Sequence, residues 1–236
     1  PAYVGHQGFL VVRADTPDLS ELVYRFRYHI YVEQMGRRQI YADHITKSIK
    51  EPLDELGDNF LAIKDGRLIG TIRRNRLDDP STAYYQKIYR SNLFDMSRDH
   101  NIATTTKLML LPEYRQSMYS VRLIKEYADH GYRDGVQVEL LDCNKHLVQF
   151  FEKMGYFSYC GWTFHKEFGK VRPMFFASDI TAYMTEVNSF LTPVAEKNDI
   201  IDGMYGGYEL VERLAEEPWN PRIRHISAKF RMRTAA

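Results

Sequence analysis

The chain has 236 residues, enough to bury one substantial hydrophobic core with a small additional segment. Its net charge of +1 argues against a nucleic-acid-binding protein, and its two cysteines are too few for a disulfide framework. No apolar run is long enough to span a bilayer and no signal-peptide pattern opens the sequence, so we expect a cytoplasmic protein without a transmembrane segment.

The N-terminal part of the chain predicts a strand followed by a long helix. Residues 8–14 form an apolar strand candidate. Thr16 can cap a helix that has Pro17 at its first position and Asp18 in its first turn, and apolar residues then recur at helical spacing. We expect this helix to end near Gly36.

A hairpin is the next local prediction. Residues 60–64 and 67–74 are β-compatible, and they are joined by Asp65-Gly66, a dipeptide typical of a tight two-residue turn. The polar, irregular residues 37–52 before the hairpin are interpreted as a lid over the substrate sites. Residues 77–101 predict a polar insertion with one short helix, to which we assign no chemistry.

The centre of the chain predicts two strand–helix units in succession. Residues 106–111 favour a strand, and residues 117–131 favour a helix closed by Gly131 as a left-handed end residue. Residues 136–141 predict the next strand, and residues 142–155 a second capped helix. Because units of this kind normally place their strands in parallel, the pattern predicts an α/β (α+β) fold.

The composition shifts after Pro193. We therefore predict a main domain of residues 1–193 and a C-terminal extension of residues 194–236. The extension holds a short helix at 208–217 and a basic, strand-like tail at 222–233. The tail is either an edge strand kept soluble by its charges or a docking surface for an acidic carrier protein.

The segments around Arg115 and Asn144 resemble a known superfamily. The order of elements, the Arg115 turn, and Asn144 followed by the Phe-Glu-Lys-Met-Gly-Tyr run at 151–156 resemble the acyl-donor half of the GCN5-related N-acyltransferases. The resemblance implies a mixed central sheet flanked by helices. It implies no permanently bound cofactor, because the donor is acyl-coenzyme A or the acyl-phosphopantetheine of an acyl carrier protein. The donor-binding residues that it implies are Leu111, Arg115, Gln116, Ser117, Met118, Tyr119, Ser120, Asn144 and Phe151.

The Arg115 turn departs from the superfamily pattern. The glycines that usually form a pyrophosphate loop are absent from Arg115-Gln-Ser-Met-Tyr-Ser120. The backbone therefore cannot approach a pyrophosphate as closely as a glycine-rich loop does. This favours a donor that carries only the pantetheine phosphate, and hence an acyl carrier protein as partner.

A second, more specific resemblance concerns the acceptor. Arg27 and Tyr31, followed by Met-Gly at 35–36, are similar to the opening helix of acyl-homoserine-lactone synthases and long-chain N-acyl amino acid synthases. The resemblance implies that Arg27 and Tyr31 contact the acceptor. It also matches Asp54, Asp58 and Arg73 to an acidic pair and an arginine around the hairpin. Carboxylates suit the ammonium of an acceptor, and an arginine suits its carboxylate.

Amide formation from a thioester needs an oxyanion site and a neutral amine. In this superfamily a backbone N–H of the first donor-side strand is free for the oxyanion, which the resemblance places at residues 109–111, around Leu110. Asp58 and Glu139 are both candidates for the general base, and the sequence does not decide between them. No histidine has partner ligands at a metal-binding spacing, so no metal is expected.

The expected function is transfer of a medium- or long-chain acyl group from an acyl carrier protein, or from coenzyme A, to the amine of an amino acid or peptide. Two alternatives stay open. An acyl-homoserine-lactone synthase would need S-adenosylmethionine as acceptor, and Arg37 stands where those enzymes have tryptophan. A non-catalytic acyl-binding or carrier-docking module would bind the acyl group without turnover.

Overall fold

A computed structural model describes residues 8–94 and 101–215 of the chain. The predicted basic tail at 222–233 lies outside the described residues. Ten strands and seven helices are found within them. The strands are β1 (Phe9–Arg13), β2 (Ala42–Asp43), β3 (Ser48–Ile49), β4 (Asp58–Lys64), β5 (Arg67–Arg76), β6 (Ile102–Leu110), β7 (Val138–Cys143), β8 (Phe157–Ser158), β9 (Thr163–His165) and β10 (Gly169–Ala177). The helices are α1 (Pro17–Tyr28), α2 (Ala83–Ile88), α3 (Met118–Arg133), α4 (Val148–Met154), α5 (Thr181–Glu186), α6 (Thr192–Lys197) and α7 (Gly207–Ala215).

The fold class is the predicted one, a mixed α/β fold with a large central sheet flanked by helices. Among the described residues the chain divides into two compact units. The first unit contains residues 8–75 and 105–127, and the second contains 76–94, 101–104 and 128–215. Strand β6 contributes residues to both units.

In the first unit the strand order is β1-β4-β5-β6, and the β4–β5 hairpin is the predicted one. Asp65 and Gly66 both have positive φ, 49° and 79°, as a two-residue turn between right-twisted strands requires. Strand β1 pairs antiparallel with β4 over Phe9–Arg13, which confirms the first predicted strand.

Helix α1 begins where the sequence predicts. Thr16 Oγ1 accepts a hydrogen bond from the backbone N–H of Leu19 at 3.3 Å, and Pro17 is the first helical residue. Leu19 and Val23 are buried against apolar residues of β4. Beyond Tyr28 the chain continues as a π-helical segment, His29–Gln34, a form that is frequent at functional sites.

In the second unit the order is β6-β7-β10-β8, with β9 also on β10. Strands β6 and β7 are parallel, as predicted, and their register runs from Ile102↔Val138 to Thr104↔Leu140. Strand β7 continues beyond this register to Cys143. The parallel ladder therefore covers only the first three residues of β7.

One predicted helix end is wrong. Gly131 was expected to close α3, but the helix continues to Arg133, and Gly135 has the left-handed conformation with φ 72°. The continuation buries Tyr132, and Val136 N donates to the carbonyl of Gly131 at 2.9 Å. Burial of an aromatic side chain therefore outweighs the local preference of glycine for a helix end.

The described part of the C-terminal extension belongs to the second unit. Lys197 and Asn198 bond to the carboxylate of Asp129 at 3.0 and 2.8 Å, and α7 confirms the short helix predicted there. The boundary at residue 193 stays a prediction. No helix among residues 8–94 and 101–215 is both long enough and apolar enough to cross a bilayer.

Candidate active site

Five buried charged side chains meet in the first unit, and we call them the charge cluster: Arg27, Glu51, Asp54, Arg73 and Lys107. Helix α1 carries Arg27, β5 carries Arg73 and β6 carries Lys107. Glu51 and Asp54 flank a short 3₁₀ turn whose backbone they cap reciprocally. Three separate elements and a capped turn thus converge on one buried polar site.

Asp54 and Glu51 are the two acceptors that join the charge cluster. Arg27 Nη1 donates to Asp54 Oδ2 at 2.7 Å, and Arg73 Nη1 donates to Asp54 Oδ1 at 2.9 Å. Glu51 accepts from Arg73 Nη2 at 2.9 Å and pairs with Lys107 Nζ at 2.7 Å. The predicted acceptor residues Arg27, Asp54 and Arg73 are therefore brought together.

The cations of the charge cluster keep both carboxylates ionised. Burial alone would raise the pKa of Asp54, but the charges of Arg27 and Arg73 outweigh burial and hold this pKa well below its usual range. Burial likewise opposes ionisation of Glu51, and the charges of Lys107 and Arg73 lower its pKa overall. Three positive and two negative side chains are thus held together in one buried site.

The arginines of the charge cluster also have neutral partners. Arg73 Nε donates to Thr106 Oγ1 at 3.0 Å, and Arg27 Nη2 donates to Asn59 Oδ1 at 2.5 Å. Each guanidinium is consequently fixed in its plane by several hydrogen bonds. The planar guanidinium groups are therefore held in one orientation.

Asp58 is not part of the charge cluster. It begins β4, forms an ion pair with Arg13 and is partly exposed. The acidic pair predicted around the hairpin is therefore split: Asp54 is buried with two arginines, and Asp58 lies in a surface ion pair. The role of Asp58 as a general base stays a prediction.

Lys107 is a cluster residue that sequence reasoning missed. Its backbone has φ 55° in the middle of β6, a left-handed conformation that is costly for a residue other than glycine and is typical of a bulge. Its ammonium lies 4.9 Å from the ring centre of Tyr31. The available signal was a lysine inside the apolar run Thr-Thr-Thr-Lys-Leu-Met-Leu-Leu, since a charge in a buried strand needs a buried partner.

One of the three backbone amides expected to be free at residues 109–111 is hydrogen-bonded in the structure. The N–H of Leu111 donates to the carbonyl of Ile69 at 2.9 Å, so it is already used within the first unit. The carbonyl of buried Leu110 accepts from Arg115 Nε at 3.1 Å. The residue of β6 with a left-handed backbone is Lys107, three positions before Leu110.

The turn before α3 is closed by its own hydrogen bonds. Gln116 has φ 53°, and Ser117 Oγ accepts from the N–H of Tyr119 at 3.2 Å. Ser120 Oγ donates to the carbonyl of Ser117 at 2.6 Å, and Met118 is 63% exposed. The ring of Tyr119 packs against Phe9 and Tyr114. One amide of the first helical turn is therefore occupied by a serine rather than presented to a ligand.

The second unit contains the other predicted site residues. Glu139 is buried and accepts from the hydroxyl of Tyr156 at 3.0 Å. Asn144 Nδ2 donates to the carbonyls of Phe168 and Lys170, at 3.0 and 3.2 Å. Phe151 is buried with its ring centre 5.6 Å from that of Tyr156. Asn144 thus ties the end of β7 to the turn that leads into β10.

The second unit also contains an acidic residue that sequence reasoning missed. Asp142 Oδ1 accepts from the hydroxyl of Tyr89 at 3.0 Å, and that hydroxyl accepts from Thr104 Oγ1 at 3.1 Å. Burial raises the pKa of Asp142 to about 6. The only signal along the chain was an aspartate at the end of an apolar strand, where a capping role is the usual interpretation.

The family model for the N-acyl amino acid synthase FeeM matches residues 22–172, more than half of the chain. The chain belongs to this N-acyl amino acid synthase family. No curated protein sequence matches it. The matched range contains the whole charge cluster, the turn before α3, and Asp142.

Solved structures agree with this family in fold. FeeM from uncultured soil microbes is similar at a TM-score of 0.59 with 11% identity, over 80% of this chain and 98% of that one. MesI, a CoA-dependent acyl-homoserine lactone synthase, is similar at a TM-score of 0.59 with 17% identity, over 84% of this chain and 97% of that one. BjaI, a CoA-dependent acyl-homoserine lactone synthase solved with MTA, is similar at a TM-score of 0.58 with 12% identity, over 81% of this chain and 99% of that one.

Membership of the N-acyl amino acid synthase family makes the protein an acyltransferase. The non-catalytic alternative is therefore set aside. Among the described residues, no group of three or more histidine, cysteine or acidic side chains is arranged to hold a metal ion.

Proposed function

We propose that the protein transfers a medium- or long-chain acyl group from a thioester to the α-amine of an amino acid, forming an N-acyl amino acid. The observation that carries this proposal is the family match over residues 22–172, which contains a preformed, buried charge cluster on the acceptor side. Burying such a cluster costs free energy, and recognition of a charged acceptor is a functional reason to keep it.

The charge cluster supports a small, charged acceptor. Its cations Arg27, Arg73 and Lys107 are paired with its carboxylates Asp54 and Glu51, so the cluster supplies fixed charges of both signs that can orient a zwitterion bound beside it. Tyr31, under the ammonium of Lys107, adds an aromatic surface. The α-amine of an amino acid has a pKa of about 8, so a usable fraction is neutral near pH 7.

The turn before α3 supports a carrier-protein donor. Ser117 occupies one helical N–H, and no glycine allows the backbone to approach a pyrophosphate closely. Coenzyme A remains the competing donor, because MesI and BjaI are described as CoA-dependent. A direct comparison of the two donors is therefore part of the test.

The test is an activity assay with two donors and a panel of acceptors. Purified protein is incubated with an acyl carrier protein, or with coenzyme A, carrying the same acyl chains, together with each amino acid, and products are identified by mass spectrometry. We expect a new amide, formed faster from the carrier protein. An enzyme that forms no amide from any combination would contradict the proposal.

A second candidate is an acyl-homoserine lactone synthase, favoured by the similarity in fold to MesI and BjaI. It would use S-adenosylmethionine as acceptor and release methylthioadenosine. Incubation with S-adenosylmethionine and both donors, with methylthioadenosine measured by chromatography, distinguishes the two candidates. Release of methylthioadenosine would replace the amino-acid proposal.

A further inference from the structure

The segment that follows the π-helical segment in the first unit exposes apolar side chains to water. Ile45 is 95% exposed and Ile40 is 83% exposed, the two highest values for a large apolar side chain among the residues that the structure describes. Met35 and Tyr41 are exposed as well, and we call these four side chains the apolar tip. Because exposing large apolar side chains to water is unfavourable, several of them in one short segment indicate an interaction surface.

The two isoleucines of the apolar tip lie at turns that only the two-residue strand β2 separates. Ile40 is inside a turn closed by a hydrogen bond of 3.2 Å from Ala42 N to the carbonyl of Gln39. Ile45 is in the loop that joins β2 to β3. Residues five positions apart are at most about 18 Å from each other, so both isoleucines belong to one small region.

The hairpin formed by β2 and β3 is held against α1 and the π-helical segment. The hydroxyl of Tyr28 and Nδ1 of His44 are 2.8 Å apart, and Lys47 Nζ pairs with Glu33 at 3.1 Å. Ile49 of β3 is fully buried. The base of the hairpin is therefore anchored on the first unit.

The loop of this hairpin also has a fixed conformation. Asp43 Oδ1 accepts from the N–H groups of Ile45 and Thr46, at 2.8 and 3.0 Å, as in an Asx turn. Thr46 Oγ1 and Ser48 Oγ are 2.9 Å apart. The exposure of Ile45 is consequently a property of the folded hairpin.

Positive charge accompanies the apolar tip. The four cations of residues 35–50 are Arg37, Arg38, Lys47 and Lys50. Asp43 is the only acid in this range, and Glu33 just before it pairs with Lys47. Four cations therefore face two carboxylates, and the surplus of positive charge suits an anionic partner.

We propose that the apolar tip and its cations bind the surface of an anionic lipid membrane. Ile40 and Ile45 enter the boundary between headgroups and acyl chains, while Arg38 and Lys50, both exposed, contact lipid phosphates. An exposed turn can enter a fluid acyl layer without a matching groove, whereas a folded protein partner must supply a complementary surface. The benefit to turnover, though not the binding, rests on the proposed function, because a long-chain N-acyl amino acid is an amphiphile that partitions into membranes.

The test measures binding of the full chain to lipid vesicles by co-sedimentation. The vesicles contain equal parts of phosphatidylglycerol and phosphatidylcholine, and pure phosphatidylcholine vesicles show how much of the binding is electrostatic. We expect the wild type to bind the anionic vesicles more tightly than the neutral ones, and added salt should weaken this binding.

The double variant Ile40→Ser/Ile45→Ser tests the apolar contribution. It should lower the partition coefficient on anionic vesicles by about 100-fold, about tenfold for each isoleucine. Both side chains are exposed, so its unfolding temperature should stay at the wild-type value. The matched control is Ile201→Ser, which removes an isoleucine of the second unit that is 68% exposed and should bind as the wild type does.

The double variant Arg38→Gln/Lys50→Gln tests the charges. It should lower binding to the anionic vesicles by about fivefold for each cation removed. Binding to pure phosphatidylcholine should not change, because those vesicles carry no net charge.

A fluorescent probe at the apolar tip gives a reading that does not depend on losing affinity. Cys143 and Cys160 are buried, so an environment-sensitive fluorophore can be attached selectively to the variant Ile45→Cys. Its emission should shift to the blue when anionic vesicles are added. The same probe on Ile201→Cys should keep its emission.

Each outcome decides the proposal. A wild type that does not bind the anionic vesicles overturns it, and so does an isoleucine double variant that binds as tightly as the wild type, or a probe at position 45 that does not respond. If the isoleucine double variant loses turnover with a carrier-protein donor when no vesicles are present, the apolar tip serves the carrier protein or closes over the substrates, and the membrane assignment is overturned. Vesicle binding is measured without turnover, so a protein that binds vesicles but forms no amide counts against the proposed function alone.

Discussion

At the scale of single residues, Asp54 determines the geometry of the charge cluster. Its carboxylate accepts from Arg27, from Arg73, from the N–H of Glu51 at 2.7 Å and from Asn59 Nδ2 at 3.2 Å. Each of these donors is buried or half-buried. Removing the negative charge would leave two guanidiniums facing each other without a shared counterion.

We predict that Asp54→Asn lowers the free energy of unfolding by about 3–5 kcal/mol at neutral pH, the range for breaking a buried ion pair. Urea denaturation measures the change. Asp78→Asn is the matched control, because Asp78 pairs with Arg76 at the surface and should cost within about 0.5 kcal/mol. Equal losses for the two variants would show that the buried network does not determine stability.

Asp54 and Asp142 should have opposite effects on the pH dependence of stability. The folded pKa of Asp54 lies below its unfolded value of about 4, so Asp54 stabilises the protein above pH 4 and this contribution is lost on acidification. The folded pKa of Asp142, about 6, lies above its unfolded value. The folded state then binds more protons between pH 4 and 6, and stability falls as pH rises through that window.

We therefore predict that Asp142→Asn is more stable than the wild type above pH 6, by on the order of 1 kcal/mol after allowing for solvent screening. Asparagine can still accept from Tyr89, but it cannot carry the buried charge. Denaturation at a series of pH values measures the difference, which should vanish below about pH 4. A variant that is less stable than the wild type at every pH would assign Asp142 a purely structural role.

At the scale of elements, Asp179 fixes the start of α7. Asp179 Oδ2 accepts from the N–H groups of Tyr205 and Gly207, at 2.6 and 3.1 Å, and its own carbonyl accepts from Gly203 N at 2.8 Å. A Cβ at Gly207 would lie 2.1 Å from Asp179 Oδ1. The helix can begin here only because residue 207 has no side chain.

We predict that Gly207→Ala destabilises the protein by about 1–3 kcal/mol, since an added carbon in a packed site forces its neighbours to move. The matched control is Gly161→Ala, because a Cβ at Gly161 meets nothing within 4 Å. Thermal unfolding compares the two variants. Limited proteolysis should show faster cleavage near α7 only in Gly207→Ala, and unchanged cleavage there would contradict the assigned contact.

The elements also indicate which features a sequence can predict. The Asp65-Gly66 hairpin, the Thr16 cap and the end of α4 at Gly155, with φ 105°, follow from local chemistry and were predicted. The end of α3 was not predicted correctly, because burial of Tyr132 extends the helix past Gly131. Local signals specify turns and caps, whereas packing decides how far an element extends.

The candidate site was predicted only where a family pattern covers it. Arg27, Asp54 and Arg73 were identified by resemblance, and the structure brings them together. Lys107 and Asp142 were missed because their positions depend on a left-handed residue inside a strand and on a tyrosine 53 residues away. Contacts of this kind arise from tertiary packing, which the spacing of residues along the chain does not reveal.

At the scale of the whole molecule, binding and chemistry can be separated. The family match spans both Arg27 and Asn144, which the resemblance assigns to the acceptor and to the donor. Donor binding can therefore be measured with a mimic that does not react. A ligand that binds the folded protein alone stabilises it, and the size of the effect depends on its affinity.

We predict that an acyl-pantetheine mimic with a thioether in place of the thioester raises the melting temperature. At a concentration of about 100 times its Kd, the mimic should stabilise the folded protein by about 2.7 kcal/mol. For a chain of this size each kcal/mol raises the melting temperature by about 2–4 °C, so the expected rise is about 5–10 °C. Differential scanning calorimetry should show the same rise for the wild type and for Asp78→Asn, because Asp78 pairs with Arg76 at the surface and is outside the charge cluster. A wild type whose melting temperature does not rise with the mimic would contradict binding of an acyl-pantetheine donor.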